Sequence, residues 1–77
     1  MESKLKLNVG DTLKQIDHKM KGFMQETDIW TYLILNKDGE VVGSVRHTEH
    51  TAVKGFRKTQ SVEQKDSSGN ILVSTSW

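Results

Sequence analysis

The stretch "DTLKQIDHKMKGFM", residues 11 to 24, decides the fold, because the residues that follow it read mostly as strands and turns. Within it Leu13, Ile16, Met20, Phe23 and Met24 recur at spacings of three and four, the period that gathers side chains into one stripe of an α-helix. Lys14, His18, Lys19 and Lys21 fall outside that stripe. Asp11 or Thr12 can cap the start, Gln15 completes a capping box with Thr12, and Gly22 marks the end. The spacing therefore predicts an amphipathic helix that packs its apolar stripe against a sheet. A helix lying on a membrane needs a broader lysine face and more exposed aromatic rings. If residues 11 to 24 are extended instead, the fold becomes an all-β barrel or sandwich.

On the N-terminal side, "KLKLNV" at 4 to 9 alternates Leu5, Leu7 and Val9 with polar residues, the pattern of a short, half-buried edge strand. On the C-terminal side, residues 29 to 35 are β-branched, aliphatic and aromatic. Trp30, Tyr32 and Ile34 share one side, while Ile29, Leu33 and Leu35 share the other, which suits a central strand. "NKDGE" at 36 to 40 is a hairpin turn, and Val41, Val42 and Val45 continue the returning strand. A third strand from about Val53 to Val62 and a fourth from Ile71 to Trp77, joined by an Asp66 to Asn70 turn, complete a meander. Phe56 and Val62 share a parity that Val53 lacks, so Gly55 is read as a bulge, and the preceding turn is placed near "TEHTA". Trp77 follows Ile71 and Val73 at period two and is expected to bury ring area. No internal repeat stands out. The expected architecture is a single α+β domain over residues 1 to 77, an antiparallel β-meander of four to five strands with one N-terminal helix on one face.

Composition narrows the function classes. A chain of 77 residues supports one core, and a core of this size rarely contributes more than roughly 3–5 kcal/mol net. Without cysteine it has neither a disulfide nor a thiolate metal site. Eleven Lys and Arg nearly cancel ten Asp and Glu, leaving +1, so attraction for polyanions has to come from a local patch. With 34% hydrophobic residues the chain is expected to fold, and it lacks the run of about 20 apolar residues that spans a membrane. No signal peptide is recognised, and a cytoplasmic location is expected.

The candidate chemistry concentrates in "VRHTEHTAVKGFRK", residues 45 to 58. His47, Glu49 and His50 resemble a metal-ligand cluster, but on a strand His50 points away from the other two, even with His18 as a further donor, and no metal or other cofactor is predicted. Ser44, His47 and Glu49 form a hydrolase-like triple of a kind that polar strands produce by chance, and no enzymatic activity is expected. Arg46, Lys54, Arg57 and Lys58, with Phe56 among them, form a basic patch suited to nucleic acid. The favoured reading is a small non-catalytic interaction protein that uses Trp30, Tyr32 and Ile34 against a protein partner or a second copy of itself. Small size and the lack of catalytic motifs suit a phage or mobile-element accessory protein that modulates a host factor. Nucleic-acid binding through the patch is the alternative.

Overall fold

A computed structural model describes residues 2–22, 26–51 and 58–77. A single 3-10 turn, Glu2–Lys4, precedes five strands: β1 (Thr12–Lys21), β2 (Thr27–Leu35), β3 (Val41–Thr51), β4 (Lys58–Asp66) and β5 (Ile71–Ser76). They form one antiparallel sheet in the order β1-β2-β3-β4-β5. No α-helix occurs among the described residues, so the expected α+β fold is corrected to a five-stranded antiparallel meander. With β1 and β5 at its two edges, the single sheet is neither a barrel nor a sandwich.

A β-bulge accounts for the helix-like spacing. Leu13 lies opposite Ile34 and Gln15 opposite Tyr32, but the register then slips, and Asp17 faces Thr31 while His18 faces Trp30. Ile16 is the extra residue. One residue inserted into a period-two pattern places Leu13, Ile16 and Met20 at spacings of three and four, which a helix would also produce. Phe23 and Met24, the remaining members of the proposed stripe, lie outside the described residues.

The expected "KLKLNV" edge strand is also corrected. After the 3-10 turn, residues 5 to 8 have no regular structure, and they lie across one side of the sheet. Leu5 and Leu7 pack, with Leu13, Tyr32 and Val73, against a core of Ile34, Val45 and Val62, each 2% exposed or less. Gln64, equally buried, fixes the arm: the Lys6 N–H donates to Gln64 Oε1 at 2.8 Å and Gln64 Nε2 donates to the Lys6 carbonyl at 2.7 Å. The two bonds satisfy both ends of a buried amide, which would otherwise cost about 1–3 kcal/mol for each unpaired group. Gly10, at φ +89°, then turns the chain into β1, where Asp11 accepts the Asn8 N–H through Oδ2 at 2.9 Å.

The β2–β3 and β4–β5 hairpins repeat one design. Asn36 and Asp66 each begin a turn in which the residue four places on, Glu40 or Asn70, pairs with it through the backbone. Gly39 and Gly69 occupy the positive-φ position at +81° and +88°. The side-chain Oδ1 of Asn36 accepts the Asp38 and Glu40 N–H groups, and that of Asp66 accepts the Ser68 and Asn70 N–H groups, all at 2.9 Å. The register slips at the same place after each turn, leaving Val42 and Leu72 as extra residues. Ile16, Val42 and Leu72, at the three register slips, are all exposed. Gly43, beside the second slip, is buried where a Cβ would come within 2.5 Å of the Lys65 carbonyl oxygen. Strand β3 extends to Thr51, so "TEH" is strand rather than turn, while the Gly55 bulge expectation lies outside the described residues.

Candidate functional site

The two sides of the sheet differ in what covers them. Cross-strand partners place their side chains on a common side. Register therefore groups Leu13, Ile34, Tyr32, Val45, Val62, Gln64 and Val73 beneath the arm, on what is called here the closed face. The remaining half of that face carries a row of stacked rings. His18 and Trp30 lie 4.9 Å apart and 2° from parallel, Trp30 and His47 are 5.1 Å apart, and His47 and Trp77 are 6.0 Å apart. Strand spacing sets this ladder, since neighbouring strands lie about 4.8 Å apart. Side chains hold the ladder: His18 Nε2 lies 3.1 Å from Asp28 Oδ1, His47 Nε2 lies 3.0 Å from Gln60 Oε1, and Lys4 Nζ lies over the Trp77 ring, 5.2 Å from its centroid.

The opposite, open face has no segment packed over it among the described residues. Its middle is built from hydroxyls and charges: Thr31 on β2, Ser44, Arg46 and Thr48 on β3, Ser61, Glu63 and Lys65 on β4, and Ser74 and Ser76 on β5. A shallow trough of about 240 Å³ runs between Arg46, Thr48, Ser61, Glu63, Ser74 and Ser76. A smaller one of about 120 Å³ adjoins it beside Thr31, Ser44 and Lys65. Glu63 lies 3.9 Å from Arg46 Nη2 and 3.6 Å from Lys65 Nζ.

Strand β1 extends this surface. Lys14 faces Leu33, Asp17 faces Thr31, Lys19 faces Ile29 and Lys21 faces Thr27, so all four side chains join the open face. The aliphatic stems of Lys14 and Lys19 lie beside Leu33 and Ile29, and such stems shield apolar neighbours while the ammonium groups stay in water. Lysines along an edge strand also discourage pairing with a foreign strand. Counted by register among the described residues, the open face holds five cations, Lys14, Lys19, Lys21, Arg46 and Lys65, against two carboxylates, Asp17 and Glu63. Among the described residues, the strands of the closed face hold Lys58 against Asp28, Glu49 and Asp66, and the arm adds Lys4 over Trp77. A chain that is almost neutral overall is thus polarised between its two faces.

The sequence candidates fall in different places. Ile34 is buried in the core, Tyr32 packs against that core beneath the arm, and Trp30 sits between two imidazoles, so the expected interface is largely occupied within the chain itself. In the proposed basic patch, Arg46 is on the open face, whereas Lys58 is on the closed face, 3.6 Å from Glu49. Lys54, Phe56 and Arg57 lie outside the described residues. His47 and Glu49 point to the closed face, while His50 points to the open one, with Nδ1 2.7 Å from Thr27 Oγ1. Ser44 faces away from His47 and Glu49, so that triple does not converge. Among the described residues, no three His, Asp or Glu side chains are grouped to hold a metal.

Sequence reasoning missed Lys14, Lys19 and Lys21 as site residues, because it placed them on the solvent side of a helix. The usable signal was the parity of β1 after allowance for the extra residue at Ile16. No described helix is long and apolar enough to cross a membrane. Comparison of the chain with protein-family models, with curated proteins and with solved structures returns no match.

Proposed function

We propose that this protein is a non-catalytic binding module that works through the open face of its sheet. The observation that carries this reading is the asymmetry of the cover. One side is closed by the arm, the Gln64 clamp and the ring ladder, while the other presents a broad polar surface with no packed segment among the described residues. The troughs there are shallow and open, lined by hydroxyls, the Arg46–Glu63 pair and Lys65. They suit the broad contact of a macromolecule better than enclosure of a small substrate, since small-molecule sites bury most of their ligand.

Filling the trough tests the reading. Thr48→Trp places a ring across it, and the variant is compared with the unaltered protein for self-association by light scattering and for binding to a short duplex and to anionic vesicles. The expected result is that whichever association the protein shows is lost in Thr48→Trp while the far-UV spectrum is retained. Association that persists in Thr48→Trp but disappears in Trp30→Ala would move the working surface to the closed face. In that case the homodimer through Trp30 and Tyr32 regains priority, with displacement of the arm as its requirement.

A further inference from the structure

We infer that the open face docks on the sugar–phosphate backbone of double-stranded nucleic acid. The inference rests on the open-face reading above and names the partner of that face.

Charge complementarity is its first support. Lys14, Lys19 and Lys21 on β1 form a line along one edge, and Arg46 and Lys65 continue the positive surface across β3 and β4. Lys14 and Lys21 have no carboxylate within ion-pair distance among the described residues, and the nearest Lys19–Asp17 separation is 3.7 Å. Exposed pairs of this kind contribute about 0–1 kcal/mol, so a phosphate can compete for the cation. The hydroxyl groups of Thr31, Thr48, Ser61 and Ser74 between the charges add donors of the type that contact phosphate oxygens.

What the face lacks in other chemistry selects the kind of nucleic acid. Its described residues include no Trp, Tyr or Phe ring, since Trp30, Tyr32 and Trp77 belong to the closed face, and its one imidazole, His50, lies 2.7 Å from Thr27 Oγ1 through Nδ1. Single strands are held by successive rings on which bases stack, and a single imidazole does not supply such a row, so the surface has little to favour them. A duplex offers two rows of phosphates and requires no stacking. The major groove admits a helix or a two-stranded ribbon, and a five-stranded sheet presented face-on is too wide to enter it. Contact is therefore with the backbone, and little sequence preference is expected. An anionic membrane shares the charge chemistry, but Ile29 and Leu33 at the centre are half-buried beside lysine stems, and the exposed apolar residues of this face, Val41 and Ile71, sit at the end away from Lys19 and Lys21.

Fluorescence anisotropy of a labelled short duplex, measured over a salt series, tests the inference. With three to five phosphates neutralised, the slope of log K against log salt is about −2.7 to −4.5, equivalent to roughly 40- to 500-fold weaker binding between 50 and 200 mM salt. Reversing two cations in Lys19→Glu/Lys21→Glu should weaken binding at least tenfold and reduce the steepness of the slope by about two. Lys58→Glu makes the same kind of change on the closed face and should leave binding within about twofold. Thermal unfolding of each variant shows that the fold is retained.

Failure to bind duplex at low salt, tighter binding to a single strand of equal length, or an equal loss in Lys58→Glu overturns the inference. If the duplex is ignored while self-association or vesicle binding is abolished by Thr48→Trp, the nucleic-acid assignment falls and the open-face reading stands. If Thr48→Trp alters no association that the protein makes, both fall.

Discussion

The two faces of this sheet use similar strands for opposite purposes. On the closed face, alternate residues of β2, β3 and β4 supply Ile34, Val45 and Val62, and the chain folds its own N-terminal arm over them. On the open face, the intervening residues supply Thr31, Arg46, Thr48, Ser61 and Glu63, with no arm packed over them. A meander of 77 residues has enough apolar material for one core, and the arm spends it on one side. On the proposed open-face reading, stability and recognition lie on different sides of the same backbone, so substitutions on the two sides should have separable effects.

The largest effect is expected at the core. Ile34→Ala should cost about 2–5 kcal/mol, a range that overlaps the entire stability of a domain this small, and urea unfolding should show a largely or fully unfolded variant. Gln64→Leu keeps the bulk but strands the Lys6 N–H and carbonyl, and should cost about 1–3 kcal/mol. Its diagnostic is local: hydrogen exchange at the Lys6 amide should accelerate well beyond that of the β3 amides. Gly43→Ala forces a methyl group toward the Lys65 carbonyl, with an expected cost of about 1–3 kcal/mol. On the open face, Ser61→Ala should change stability by no more than about 0.5 kcal/mol. A large loss there would break the division between the faces.

A smaller effect separates the two related turns. The Asn70 N–H bonded to Asp66, with further bonds from the Asn70 side chain and the Ser68 and Gly69 N–H groups, holds the Asp66 carboxyl below its ordinary value of 3.8. Because the folded value is depressed, the stabilisation is present above the unfolded value and disappears as pH falls through the folded one. Asn36 fills the same position in the other hairpin with an amide that does not titrate in this range. Acidification below about pH 4 should therefore speed exchange at the Ser68 and Asn70 amides relative to those of Asp38 and Glu40. Asp66→Asn should remove the difference.

Much of the sheet was legible in the sequence. Residues 29 to 35 show their two faces by alternation, Asp38-Gly39 and Ser68-Gly69 mark the turns, and strand parity separates His47 and Glu49 from His50. The failures share a physical origin, because each depends on something other than regular local periodicity. One inserted residue at Ile16 turned an edge strand into an apparent helix and removed three lysines from the candidate site. The arm alternates like a strand, yet Gln64, 58 residues away, holds Lys6 by side-chain bonds instead of a ladder. The related hairpins escaped notice because Asn36 and Asp66 perform the same bonding with different residue types. Arg46 was recognised as a candidate, but its neighbours on the surface are set by register across five strands.

The most direct test of the division between faces is the relaxation of methyl resonances by a soluble paramagnetic agent, read in one spectrum of the unaltered protein. The methyl groups of Ile34, Val45 and Val62 should be spared, while those of Thr12, Thr31 and Thr59 on the open side should be strongly broadened. Equal protection of both sets would show that a second layer covers the open face. Equal broadening would show that the arm does not close the other.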